Sequence, residues 1–255
     1  MDAIYPLYRI FDILVIDRGK KRASCSHYVA VSQTSEPINT DRPDQSDGTY
    51  TSPKGSFQLE TGFTYGKEES QYLLHNTMLR YGLFSKTEIR LSVDYGRMKS
   101  KTGIMPVGIS VKHRIALQKG LFPDITAVGN IGLPFSASRN FRPRNQPATL
   151  SLAFQNEFLE KFSVVYNVGW SLDGVATTNN WILTTSAGFF ATEALSFFAE
   201  YFSQFASSAR PDHNIDMGVA WLLKNNLQLD LTAGSTILAG SKDRFVTTGI
   251  SYRFD

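Results

Sequence analysis

From Ser56 to Phe254 the chain alternates apolar and polar residues about a dozen times, in runs of roughly ten residues broken by turn-forming stretches. In an extended strand residues two apart share a face, so each run has one oily and one polar side. Phe57, Leu59, Phe63 and Tyr65 oppose Gln58, Glu60 and Thr64. Ile89, Leu91, Val93 and Tyr95 oppose Glu88, Arg90, Ser92 and Asp94. Val107, Ile109, Val111, Ile115 and Leu117 oppose Gly108, Ser110, Lys112, Arg114 and Ala116, with His113 falling on the apolar side. Further strands are expected at Leu73 to Leu83, Ile125 to Leu133, Ala148 to Gln155, Phe162 to Leu172, Trp181 to Phe190, Leu195 to Phe205, Asn214 to Leu223, Leu227 to Ser235 and Arg244 to Phe254. That makes twelve.

A soluble lipocalin-like barrel or sandwich shows the same period with its apolar face turned inward. Two features favour the opposite sense. About eight strands already give an interior that side chains fill, so twelve would enclose more volume than a core needs. The polar faces are also rich in Ser, Thr, Asn, Gln and Gly and poor in Lys, which suits a confined aqueous lumen better than a soluble surface. The 13% aromatic content, with 18 Phe, 11 Tyr and 3 Trp, fits strands and interfacial girdles. Outward Tyr65, Tyr81, Tyr95, Tyr166, Trp170, Trp181, Tyr201, Trp221 and Tyr252 fall mostly toward strand ends, where girdle residues belong. The expected fold is therefore all-β: a transmembrane, antiparallel, up-and-down β-barrel of about twelve strands in the bacterial outer membrane. An even strand number returns both termini to one side, the periplasm. The connections at Phe84-Ser85-Lys86, Ala191 to Ala194 and Lys224-Asn225-Asn226 read as tight, and the intervening ones as longer. The longest, Gly96 to Pro106 and Pro134 to Pro147, are assigned to the cell exterior.

Before the barrel, residues 1–32 form a divergent or misassigned signal region. Its short apolar stretch, Phe11 to Ile16, precedes Lys20-Lys21-Arg22 instead of following a basic start. Ala30-Val31-Ser32 supplies small residues for a cut before Gln33, and Ala23-Ser24-Cys25 lacks the Leu-like residue of a lipoprotein box. Residues 33–55 form a polar periplasmic segment that cannot bury a core by itself and is expected to tuck into the barrel mouth. Residues 56–255 are the barrel. Asp41, Asp44 and Asp47 recur every third residue, but no EF-hand glycine and glutamate stand in register, so no metal site is expected. The single Cys25 excludes an internal disulfide framework. Net charge is +3, yet most of the excess lies in the first 32 residues, and charges elsewhere are scattered singly along strands, so nucleic acid is not an expected partner.

Thr40-Asp41-Arg42-Pro43-Asp44-Gln45, followed by Pro53-Lys54-Gly55 and the strand Phe57-Gln58-Leu59-Glu60, resembles a family of outer-membrane transporters labelled for the MetA pathway of phenol degradation. Leu79-Arg80-Tyr81-Gly82-Leu83 with Glu88-Ile89-Arg90-Leu91 is similar to that family's second hairpin, and the resemblance spans Thr40 to Phe254. It implies a barrel and, by the family's label, uptake of small aromatic compounds. One departure is Asp255 after Phe254, where barrels usually stop at the aromatic.

If the apolar faces point outward, Arg80, Arg90, Lys112 and Arg114, with Glu88 and Asp94 among them, line one wall of the lumen. Glu200, Asp216 and Asp230 line the facing wall, so the lumen carries either a transverse field that orients polar solutes or salt bridges that knit it shut. Phe198, with Phe190 and Phe202, breaks the alternation inward and forms an apolar stripe, either a solute path or packing for a plug. The expected function is passive passage of small molecules, possible hydrophobic or aromatic compounds among them. The alternatives are a structural or adhesive barrel acting through its loops and a barrel-embedded hydrolase. Outward His75 and His113 invite the last, but no nucleophile motif such as Gly-x-Ser-x-Gly accompanies them, and no catalytic residues or cofactors are expected. The expected partners are outer-membrane lipid, a small-molecule solute and the barrel-assembly machinery, reached through the C-terminal strand Thr247 to Phe254.

Overall fold

The computed structural model describes residues 36–254 apart from 69, 160, 175–178, 207–209 and 239–242. The expectations placed on residues 1–32, Cys25 included, and on Asp255 lie outside the described residues. Thirteen strands form one antiparallel sheet: β1 (Phe57–Lys67), β2 (Gln71–Phe84), β3 (Thr87–Met98), β4 (Lys101–Ile104), β5 (Val107–Ala116), β6 (Asp124–Leu133), β7 (Ala148–Phe158), β8 (Phe162–Leu172), β9 (Asn179–Phe190), β10 (Leu195–Ala206), β11 (Asp212–Lys224), β12 (Leu227–Leu238) and β13 (Arg244–Phe254). Each strand pairs with its chain neighbour, and β1 pairs with β13 from Phe57↔Phe254 to Lys67↔Arg244, which closes the ring. β4 and β5 pair in turn with the same strand, β3, and form a single stave broken at Met105-Pro106. Pro106 has no N–H to give to the ladder, so the break falls where pairing would fail anyway. The result is a closed barrel of twelve staves.

The barrel is inside-out relative to a soluble protein. Among described residues the buried apolar side chains are only Ile38, Val128, Ala137 and Ala153, whereas Arg80, Glu60, Glu88, Lys112, Thr126 and Thr232 are at most 1% exposed. Phe63, Leu150 and Met217 are 53%, 59% and 63% exposed on the outer face. Water around such a continuous apolar surface would cost roughly 25 cal/mol for each Å² left wet, whereas hydrocarbon costs nothing. Closure leaves no unpaired strand edge, the condition for a sheet in lipid. The soluble rival fails on this arrangement.

Two expectations about the connections need correction. Gly96 to Pro106 is not a long loop: β3 continues to Met98, turns over Lys99-Ser100 and returns as β4. Both turn residues have positive φ, 46° and 64°, the conformation of a two-residue hairpin whose twist matches its strands. Loop length also fails to sort the two ends of the barrel. β1 and β2 are joined by only Glu68–Ser70 at the end away from the termini, while residues 117–123 form a longer link at the terminal end. Pro134 to Pro147 is long, but it folds back against the barrel. Two 3₁₀ turns, Pro134–Ser136 and Arg139–Phe141, place the Ser138 N–H 2.9 Å from the Ile104 carbonyl, and the Ser136 hydroxyl accepts from the Val107 N–H at 2.8 Å. Gly103 faces this loop, and a side chain there would strike Ser138.

Candidate functional site

Strand register fixes which residues enter the lumen. Even-numbered residues of β1 to β3 point inward, and the pairings carry that sense round the ring through Lys112↔Val128, Thr126↔Ala153, Asn167↔Thr184, Glu200↔Asp216 and Asp230↔Gly249. The outward set holds all nine Tyr and Trp residues named above. His75 and His113 are outward too. His75 Nε2 lies 2.9 Å from the Thr61 hydroxyl and its ring stacks on Phe63, while His113 Nδ1 lies 2.9 Å from the Thr87 hydroxyl.

Inside the ring lies the polar segment Glu36 to Ser56. It enters beside the β11–β12 turn, where the Ile38 N–H donates to the Asn225 carbonyl and Arg253 donates to the Glu36 carbonyl. It leaves at the end of β2, where the Gly55 N–H donates to the Gly82 carbonyl at 2.7 Å. Between these points it has no secondary structure of its own and meets the wall through side chains. The Asn167 side chain holds both polar groups of the Asp47 backbone, Gln155 accepts from the Thr49 N–H and hydroxyl, and the Ser52 N–H donates to Glu88. Thr126 donates to the Thr49 carbonyl at 2.8 Å.

Successive side chains of an extended chain point in opposite directions, and Asp41-Arg42 uses this to reach two walls at once. Asp41 meets the basic wall. Its carboxylate accepts both hydrogen bonds from Lys112 Nζ, at 2.8 and 3.0 Å, pairs with Arg80 at 3.3 Å, and accepts from Arg90. Arg80 is also bidentate on Glu88, at 3.0 Å twice, and pairs with Glu60 at 2.6 Å; Arg90 pairs with Glu88 at 2.6 Å and Asp47 at 2.9 Å. Burial opposes ionisation of Asp41, but Arg80, Arg90 and Lys112 outweigh it and hold the carboxyl well below the usual range. Arg42 meets the acidic wall, 3.1 Å from Asp230, and donates to Asn76 at 2.9 Å. Its guanidinium lies over Gly62 and Gly249, which face each other across β1 and β13. A side chain at Gly249 would occupy the space the guanidinium fills, and one at Gly62 would also come within 2.5 Å of the Thr248 carbonyl.

Of the residues expected inside, Arg80, Glu88, Arg90 and Lys112 join in one cluster. Asp94, opposite Asn76, and Arg114, opposite Thr126, are half-buried on the same wall, further along in each direction. Glu200 accepts from the Gln45 N–H at 2.7 Å and from the Ser46 hydroxyl. Asp216 stands directly across from Glu200 on the next strand, and Phe198 is half-buried on the inner face two residues before Glu200. Asp44 lies within electrostatic reach of Glu200, Asp41 and Asp216, and burial together with these carboxylates pushes its carboxyl well up. The three-residue spacing of Asp41, Asp44 and Asp47 thus serves different partners, and among the described residues no group of acidic, His or Cys side chains is arranged to hold a metal ion. Sequence reasoning did not single out Asp41, Arg42, Gln58, Glu60 or Phe245 as site residues. A signal existed: the inward cations at positions 80, 90 and 112 outnumber the carboxylates on their own strands, and the polar segment carries the balancing charge.

The sequence finds no match among curated proteins. Solved structures share the fold. An outer membrane channel from Pseudomonas putida F1 superposes with a TM-score of 0.62 at 12% identity, over 83% of this chain and 100% of that one. The KdgM porin gives 0.57 at 10% identity over 77% and 99%, and the NanC porin 0.56 at 9% over 76% and 98%. All three are channels or porins rather than enzymes. Residues 40–254, the inserted segment from Thr40 onward and the whole ring, match the family described as "Putative MetA-pathway of phenol degradation", and the chain belongs to that family.

Proposed function

We propose that the protein is a channel for passive movement of small molecules across the bacterial outer membrane, closed in the present state by its own segment Glu36 to Ser56. The observation that carries this reading is the segment's attachment: it crosses a polar lumen, held by Asp41 on the basic wall, by Arg42 on Asp230 and Asn76, and by Gln45 and Ser46 on Glu200. A barrel needed only as a scaffold has no use for buried charges on both walls, because an apolar core of similar volume is at least as stable. Charges that alternate between protein partners and water fit a lumen that empties and fills. The terminal end faces the periplasm in this reading, which follows the rule for even-stranded barrels. The C-terminal strand, which seals the ring against β1, is also the strand that the assembly machinery would read. By the family's label the solute class includes small aromatic compounds, and inward Phe190, Phe198 and Phe202 offer an apolar track for them.

The test is single-channel recording of the full chain in planar bilayers beside an Arg80→Ala/Arg90→Ala variant. The expected result is infrequent steps for the native chain, and longer, more frequent steps with altered ion selectivity for the variant. A barrel that inserts with heat-modifiable migration yet stays silent in both forms would refute the channel.

A further inference from the structure

The inserted segment gives Arg80, Arg90 and Lys112 of the basic wall a counter-ion and leaves a carboxylate on the acidic wall unmatched. Asp216 is 3% exposed, and neither carboxylate oxygen has a hydrogen-bond partner among the described residues. Its neighbour straight across the ladder is another carboxylate, Glu200, which receives hydrogen bonds from Gln45 and Ser46 of the inserted segment and no cation among the described residues. Like charges directly opposite on adjacent strands repel, and burial removes the water that would screen them. The segment's cation Arg42 is committed to Asp230. Asp44 adds a third acid to the same space, and Thr232, paired with Gly218 across the ladder, has a buried hydroxyl that also lacks a partner among the described residues.

Aromatic rings stand beside Asp216 on the inner face. Phe198 lies over Gly218, where a side chain would otherwise stand. Phe245 lies over Gly234, the residue paired with Asp216, and both the Phe245 ring and the Asp216 Cβ border the space above that glycine. Phe202 reaches across two strands to Phe245, with ring centroids 6.4 Å apart. All three rings are half-buried on the inner face. An unmatched carboxylate pair under aromatic rings offers a cation charge neutralisation and ring faces together, the recognition chemistry of organic ammonium ions. Among the described residues no such group is arranged for a metal ion, which favours the organic cation.

We infer that Asp216 and Glu200, with Phe198, Phe202 and Phe245, form a lumenal binding site for small organic ammonium ions. This deepens the channel reading and rests on it for access of a solute to the lumen. The ammonium group sits against Asp216 and its apolar body lies among the rings; a neutral aromatic of the same shape gains only the ring contacts. Glu200 also holds Gln45 and Ser46, so an occupied site competes with the inserted segment for one carboxylate.

The test is calorimetric titration of the full chain, refolded in detergent and checked for heat-modifiable migration. Benzylammonium is the probe, benzyl alcohol its neutral match and potassium chloride the simple cation. Benzylammonium is expected to bind at least about tenfold more tightly than benzyl alcohol, and Asp216→Asn to abolish that preference while the barrel still folds. Phe245→Leu should weaken benzylammonium several-fold. Equal affinity for the two probes, equal response to potassium, or no change with Asp216→Asn would each overturn the site. Bilayer recording on the same samples separates the two readings: a silent barrel that binds benzylammonium refutes passage alone, and a conducting barrel that shows no preference refutes the site alone.

Discussion

Asp41→Asn changes no shape and removes one charge, and its consequence can be worked through partner by partner. Arg80 keeps its pair with Glu60 and its bidentate pair with Glu88, and Arg90 keeps Glu88 and Asp47. Lys112 loses the carboxylate that receives both of its hydrogen bonds, in a setting where its side chain is wholly buried. An uncompensated buried charge costs about 3–5 kcal/mol. That cost falls on the closed state alone, because water solvates Lys112 once the segment leaves. At a factor of ten for each 1.4 kcal/mol, the open fraction should rise by roughly two to three and a half orders of magnitude. The assay is the labelling rate of a cysteine placed at Thr49, a residue 1% exposed with the segment in place, in a Cys25→Ser background. Fast reclosing makes that rate track the open population. Adding Lys112→Met should return labelling to within about tenfold of the parent, since replacing both members of a buried pair is close to neutral. A folded Asp41→Asn protein with unchanged labelling, or a double variant that stays open, would refute the account of the closed state.

Gly249→Ala should act like Arg42→Ala, because the added methyl takes the guanidinium's place and loosens its grip on Asp230; both should raise Thr49 labelling by about tenfold or more, whereas Gly62→Ala should also impair barrel folding. Closure should weaken toward alkaline pH through Asp44. A carboxyl whose closed-state pKa is raised favours closure fully below its ordinary value of 3.8 and loses that contribution as pH rises through the raised value, so open probability should climb with pH and Asp44→Asn should flatten the climb. Asp41 has the opposite sign: its lowered pKa favours closure above the ordinary value and loses effect only as strong acid protonates it, which recordings down to about pH 4 should leave untouched. Leu152→Arg, on the outer face halfway along β7, should cost about 2–4 kcal/mol in urea titrations of the vesicle-inserted barrel, while Ser151→Arg would act on the lumen instead.

The ring was legible because a period of two is unmistakable when every stave obeys it. Phe57 to Tyr65, Ile89 to Tyr95 and Val107 to Leu117 each state their outer face without reference to any other strand, so twelve staves and their inward charges follow by counting. What alternation does not encode is where an element without a repeat will lie. Glu36 to Ser56 makes its contacts one side chain at a time, with wall partners between 19 and 217 positions away in the chain, and nothing local marks Asp41 as the counter-ion of Lys112. Loop assignments failed for a related reason. Lys99-Ser100 adopts its two positive φ values without the Asn or Gly that usually announces such a turn, so β4 was hidden inside an apparent loop.

In the proposed gate the lumenal charges form a set with two ways of being satisfied. With the segment in place, protein ion pairs match the cations at positions 80, 90 and 112, and Arg42 matches Asp230. With the segment out, water and counter-ions take over both walls. Buried pairs gain Coulomb energy and lose hydration in nearly equal measure, so exchanging one arrangement for the other changes the free energy far less than the strength of any single contact implies. A gate built this way can be held by many contacts and still be displaced by a modest bias. An apolar plug in an apolar bore would lack that property, because its removal would expose oil to water with nothing in return. Asp216 is the exception to the balance: it is unmatched in the closed state and becomes hydrated in the open one. It therefore favours opening, and a cation bound beside it removes that push while drawing Glu200 away from Gln45 and Ser46. The net sign depends on which is larger, and the Asp216→Asn variant separates them: it deletes the push and leaves the Glu200 contacts, so it should close the native channel further.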